Sequence, residues 1–261
     1  MRGLGAFGAI ALVLLVSGSG PALAGAPSDH RLLVLDGETV KWGAPVLGTG
    51  ATVTYALVAS ATDFPDARNC RSVVPLGPLL AANSVPSAQF AREVTAAFAA
   101  WSAVANIVFV PDDPATADIL IGAQGDPYGR AFTNVAHAVP SGEGTAPIAR
   151  SVICLNPAQR WKVGFDGDLD VYDLRYTLEH EIGHAIGLDH PGVAGVMMDF
   201  RYREKFDGPQ PGDIAGALAL YGAKGATPPV AAVAAPARGT TEVGLGVTAV
   251  KLPDAEHLFR P

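Results

Sequence analysis

The chain has 261 residues, 49% of them hydrophobic and 16% charged, which is enough for a sizeable core and one or two domains. Its formal charge is −7 and no cluster of Lys and Arg occurs, so a polyanion-binding surface is excluded and no nucleic-acid partner is expected.

The first residues place one cation, Arg2, before an apolar run from Leu4 to Val16; Ala22-Leu23-Ala24 follows a Ser/Gly/Pro break. That pattern predicts a signal peptide over residues 1–24 and a secreted or extracytoplasmic protein. The run falls short of the ~20 residues of a membrane span, and no span is expected in the mature chain. Residues 25–50 mix Gly, Pro and polar residues and read as an N-terminal arm.

Residues 51–58 are rich in β-branched and aromatic side chains and predict a first strand. Residues 59–83 carry Pro65, Pro75 and Pro78 and read as a long loop containing Cys70. Ser87 is a candidate cap for a helix to about Val104, with Phe90, Val94, Phe98, Trp101 and Ala105 on one face. Further strands are expected at 106–110, 118–122, 135–139 and 151–155, and helices at 173–188 and 213–221. Beyond Gly222 the composition turns to Ala, Pro, Val and Gly, so residues 223–261 read as a flexible tail. The order of elements predicts an α+β domain over residues 51–222 rather than alternating βαβ units.

One stretch carries chemistry: His180-Glu181-Ile182-Gly183-His184-Ala185-Ile186-Gly187-Leu188-Asp189-His190. On a helix His180 and His184 are one turn apart on a single face, so both imidazoles can reach one ion with Glu181 beside them. Gly187 can take positive φ, end the helix and let the chain bring His190 back to the same point. Three imidazoles and one open position form the catalytic arrangement for a single Zn²⁺ rather than the closed structural one. Asp166, Asp168, Asp170 and Asp173 precede this helix; they lack the Gly and Glu of a Ca²⁺ loop, so Ca²⁺ has no clear motif and a helix-favouring acidic loop is the reading.

The stretch resembles the metzincin signature, and Met198, eight residues past His190, falls where the matrixin Met-turn places its methionine. The resemblance implies that Met198 floors the three histidines without binding the ion, with neighbouring Met197 as the competing assignment. It extends over residues 51–222, through Phe98-Ala99-Ala100-Trp101-Ser102, Ala117-Asp118-Ile119-Leu120-Ile121, Asn134-Val135-Ala136-His137-Ala138 and Asp213-Ile214-Ala215-Gly216. It implies an α+β metzincin catalytic domain: a mixed, twisted sheet of about five strands, three helices, and a zinc helix ending at a Gly turn. It also implies that Val135 and Ala136 lie on the edge strand that pairs with substrate, and that Tyr202 walls the specificity pocket.

Departures from the family pattern narrow the expectation. Residues 122–126 read Gly-Ala-Gln-Gly-Asp where matrixins carry a His/Asp loop for a structural zinc, so no structural zinc is expected and His137 is read as solvated or hydrogen-bonded. Phe200 replaces the proline two residues past the Met, and the latency sequence PRCGxPD has no match. Cys70 and Cys154 are expected to form a disulfide, the competing reading being a thiolate that blocks the zinc. The functional expectation is an exported, monomeric zinc endopeptidase acting on protein or peptide substrates, with Glu181 as general base to a zinc-bound water. The alternatives are a catalytically silent zinc-binding module of the same fold and a narrow processing protease for one partner.

Overall fold

The structure is a computed structural model and describes residues 29–139, 142 and 144–225. The expected signal peptide, residues 25–28 of the arm and residues 226–261 of the expected tail lie outside the described residues.

Three short strands come first, β1 (Arg31–Leu32), β2 (Val34–Leu35) and β3 (Glu38–Lys41), followed by β4 (Ala51–Leu57). A hairpin of β5 (Thr62–Asp63) and β6 (Ser72–Val74) leads to the short helix α1 (Gly77–Ala82) and the long helix α2 (Ser87–Val104). Then come β7 (Ile107–Pro111), β8 (Ile119–Gln124), β9 (Ala131–His137) and β10 (Thr145–Leu155). The last elements are β11 (Trp161–Lys162), β12 (Tyr172–Asp173), α3 (Leu174–Ala185), β13 (Leu188–Asp189) and α4 (Pro211–Tyr221).

The main sheet runs β2-β3-β10-β8-β4-β7, with β7, β4, β8 and β10 parallel to one another. β9 lies antiparallel to β10 and pairs with no other strand among the described residues, so its outer edge is open. β10 is long enough to pair with β3 through Thr145–Pro147 and with β8 through Ser151–Leu155. The strands of five or more residues are β4, β7, β8, β9 and β10, the expected mixed sheet; short additions bring it to nine strands among the described residues. No helix among the described residues is long and apolar enough to cross a membrane.

Two segments were read differently from sequence. The 59–83 loop contains β5, β6 and α1, so four helices rather than three are present among the described residues. Pro78 reads as a breaker, yet it sits in the first turn of α1, where its missing N–H costs nothing. Residues 31–41, read as arm, are built into sheets: β3 pairs with β10 in the main sheet, and β1 forms a separate two-stranded sheet with β13. Dipeptide-length strands have no internal periodicity, and only the remote partner defines them.

The predicted face of α2 is buried throughout, with Phe90, Val94, Phe98, Trp101 and Ala105 in the core. Pro86 rather than Ser87 holds the N-cap position. The Trp101 indole N–H donates to the Glu179 carbonyl at 2.8 Å and so fastens α2 to α3. Cys70 and Cys154 form a disulfide with their Cα atoms 5.7 Å apart. Both sulfurs are thereby consumed, and the zinc-blocking thiolate is overturned.

Lys41 is fully buried, and its ammonium donates to the Trp42 and Ala44 carbonyls, each at 2.7 Å. It also lies 5.2 Å from the Tyr221 ring centroid. Burial lowers its pKa from 10.5 to about 8. The folded chain therefore releases this proton more readily than the unfolded chain, and the Lys41 contribution to stability grows as pH rises from 8 towards 10.5. Between pH 8 and 10 the stability of the unaltered chain should gain roughly 2 kcal/mol relative to Lys41→Met, read from paired urea titrations.

Candidate active site

Asp173 caps α3, its Oδ1 accepting the Tyr176 N–H at 2.8 Å, and Leu174 to Ala185 follow in helical register. The helix ends three residues before the expected Leu188, because Gly187 has φ +101° and a side chain there would run into the Val40 carbonyl. Gly187 N–H donates to the His184 carbonyl at 3.0 Å, and the Gly187 carbonyl accepts Leu33 N–H at 2.8 Å. β13 then leaves in extended conformation beside β1, with Arg31 and Asp189 paired at 3.0 Å. Trp42 adds a third tie, its indole N–H donating to the Ala185 carbonyl at 2.8 Å. The N-terminal strands thus hold the turn that delivers His190.

His190 Nε2 lies 3.1 Å from His180 Nε2 and 3.2 Å from His184 Nε2. Two of the other ring nitrogens are engaged: His180 Nδ1–H donates to the Met197 carbonyl at 2.8 Å, and His184 Nδ1–H to the Leu188 carbonyl at 2.9 Å. A carbonyl can only accept, so these bonds place the proton on Nδ1 and leave the Nε2 lone pairs of His180 and His184 facing inwards. Burial, then the neighbouring histidines and Arg130, hold His180 well below the usual imidazole range. Burial and then His184 lower His190 to about 2. Converging lone pairs repel unless a cation lies between them. Nitrogens held tetrahedrally about 2.05 Å from one zinc ion stand ~3.3 Å apart, which the observed spacing fits closely.

Gly187→Ala should destabilise the chain by about 3 kcal/mol, because it combines positive φ with a clash against strand backbone. Chemical denaturation measures that loss, and a parallel fall in zinc retained on dialysis is expected as His190 moves.

Met197 and Met198 divide two tasks. Met198 is buried with its sulfur against Gly183, where any side chain would displace it, whereas Met197 presents its carbonyl to His180. The turn is fixed by Asp213 in the first turn of α4, which accepts the Met198 N–H at 3.0 Å and the Met197 N–H at 2.5 Å. Asp213 also closes a capping box with Gln210. In sequence Asp213 marks only a helix start, and nothing local reveals the second role.

Glu181 is buried beside the histidines, and its Oε2 accepts the Thr133 hydroxyl at 2.7 Å. Thr133 stands two residues before Val135 on β9 and was not singled out by any sequence signal. Val135 is buried in the core and Ala136 is half-buried, so what Val135 can offer at the open edge is main chain. Tyr202 packs edge-on against Tyr172 and Tyr176, with centroids 5.2 and 5.1 Å away. Its hydroxyl accepts from Asp173 N at 2.7 Å and donates to Glu204 Oε1 at 2.8 Å, tying the segment after the Met-turn to the start of α3. Phe200 lies 6.3 Å from the His190 ring, centroid to centroid.

The acidic loop is held by a lysine. Lys162 Nζ pairs with Asp166 and with Glu204 Oε1 at 2.5 Å, and donates to the Asp168 carbonyl at 2.8 Å. Asp173 is the helix cap, which accords with the acidic residues favouring a helix N-terminus. His137 is fully buried rather than solvated; its Nδ1–H donates to the Ala138 carbonyl at 2.6 Å, and Nε2 stands 3.4 Å from Asp36. Among the described residues, His180, His184 and His190 form the cluster of ligand side chains able to share one ion.

The family model for matrixin matches residues 79–222, more than half of the chain. The chain belongs to the matrixin family. This matrixin is 28% identical to human matrix metalloproteinase-20 over 148 residues, which cover 53% of this chain and 29% of that protein. It is 34% identical to metalloendoproteinase 1-MMP of Arabidopsis thaliana over 138 residues, covering 48% and 36% of the two chains. With interstitial collagenase of Sus scrofa it shares 31% identity over 138 residues, covering 50% and 28%. The matched region thus spans about a third of the length of these relatives. Family membership carries the α+β metzincin fold.

Proposed function

We propose that this matrixin is an exported zinc-dependent endopeptidase that hydrolyses peptide bonds, with His180, His184 and His190 as the zinc ligands and Glu181 as general base. The observation that carries the reading is the convergence of three Nε2 atoms, one from a buried and two from half-buried imidazoles, with two of the rings fixed by carbonyl acceptors and Glu181 next in sequence to His180. A zinc ion there would supply a Lewis acid and make water acidic enough to lose a proton near neutral pH.

The chain's own residues supply the rest. Glu181 takes the proton from the attacking water and passes it to the departing amine. Thr133 holds one carboxylate oxygen, so the other is left to face the substrate. Substrate main chain adds as a further strand to the open edge of β9 at Val135 and Ala136. Tyr202 walls the pocket below, and Met198 gives the histidines a rigid apolar floor. Export is supported by the pattern of residues 1–24 and by the disulfide, which belongs to oxidising compartments.

The test is a casein or gelatin assay on the purified protein with metal analysis alongside. One zinc per chain, loss of cleavage on chelation and recovery on adding zinc are the expected results. Bound zinc without cleavage across a diverse peptide library would replace this reading with that of a silent binding module.

A further inference from the structure

Several cations close to the site have a carboxylate partner: Arg31 with Asp189 at 3.0 Å, Lys162 with Glu204 at 2.5 Å, and Arg175 with Glu93 at 2.6 Å. Arg130 does not. It stands immediately before β9, half-buried, with its guanidinium carbon 5.4 Å from the Tyr172 ring centroid and 5.7 Å from that of Tyr202. Among the described residues no carboxylate or hydrogen-bond acceptor meets the guanidinium, so its N–H donors are left to whatever enters the cleft.

The position of Arg130 relates it to the cleft. The Tyr202 ring that Arg130 covers is the proposed wall of the cleft, and β9, which begins at the next residue, is its open edge. Two aromatic faces hold the guanidinium in place, and its planar fork matches a carboxylate bidentately. The chain as a whole, at −7, would repel acidic peptides, so a local cation is what such a substrate requires.

We propose that Arg130 is a specificity-determining residue that selects substrates carrying a carboxylate where they pass between the start of β9 and the Tyr202 wall. The inference rests on the endopeptidase reading and names the substrate class for that site.

End-blocked peptides differing only by Glu or Gln at successive positions, with a second arm of free-acid and amidated C-termini, supply the probes. Two readouts are taken: kcat/KM on the zinc-loaded enzyme, and fluorescence anisotropy of the same peptides bound to the chain carrying Glu181→Gln. At one position Glu should be favoured over Gln by about tenfold or more, the size of a charge-assisted pair. The two peptide arms distinguish a side-chain carboxylate from a terminal one. Arg130→Gln should bring the ratio close to one while neutral peptides change little, Arg130→Lys should keep part of it, and Arg130→Glu should favour Lys-bearing peptides instead. A ratio that survives Arg130→Gln overturns the proposal, as does an equal loss for acidic and neutral peptides, which would mark Arg130 as a purely structural clamp. Carboxylate-selective binding that needs Arg130 but comes with no cleavage by the zinc-loaded chain would refute the peptidase reading and leave the carboxylate site standing.

Discussion

Changing Glu181 to Gln should lower kcat/KM for peptide hydrolysis by about 10²–10⁴-fold and leave zinc content and thermal unfolding close to those of the unaltered chain. Glutamine keeps the length and shape of the side chain, and its amide oxygen can still accept the Thr133 hydroxyl that Glu181 Oε2 accepts at 2.7 Å. What it cannot do is take a proton from water. The three Nε2 atoms and their carbonyl partners are untouched, so metal analysis should still find one zinc per chain. Thr133→Val should cost much less, roughly tenfold, since it frees the carboxylate to rotate without removing it. An activity unchanged by Glu181→Gln would remove Glu181 from the reaction and leave the proton transfer to another group.

Replacing both Cys70 and Cys154 by Ala should cost about 4 kcal/mol of stability, the largest structural effect expected from a single covalent link. The disulfide closes a separation of 84 residues, and that length sets the chain entropy it removes from the unfolded state. It also fastens the loop before β6 to β10 within a small apolar cluster that includes Val73, Leu120 and Val152. For a domain of this size the change corresponds to a fall in Tm of roughly 10 °C. Calorimetry of the double variant against the oxidised chain measures it directly, and reductant added to the unaltered chain should reproduce it. A fall of only a degree or two would mean that the segment is held by its strand pairing with β8 alone.

Much of the site was legible in the residues. His180, Glu181 and His184 were placed by helical spacing, and Gly187 by the need for a turn; the glycine does take positive φ and ends the helix, three residues earlier than the spacing alone suggested. The face of α2 was likewise readable, because Phe90, Val94, Phe98 and Trp101 recur at helical steps and are all buried. Helix α1 was hidden behind Pro78, since proline at a helix start and proline in a loop look alike without the neighbouring turn.

Local spacing was thus sufficient to place the proposed site: three imidazoles, the Glu181 carboxylate and the glycine that lets them meet all lie within eleven consecutive residues. The scaffold that makes the spacing effective comes from far along the chain. Leu33 and Trp42 hold the turn after α3, Asp213 holds the backbone of Met197 and Met198, Thr133 bonds Glu181, and Arg130 lies against Tyr202. Each of these contacts joins segments whose proximity depends on how the sheet and helices pack. A helix repeats itself every few residues and so records its faces in the local sequence, whereas a hydrogen bond between distant strands leaves no periodic trace.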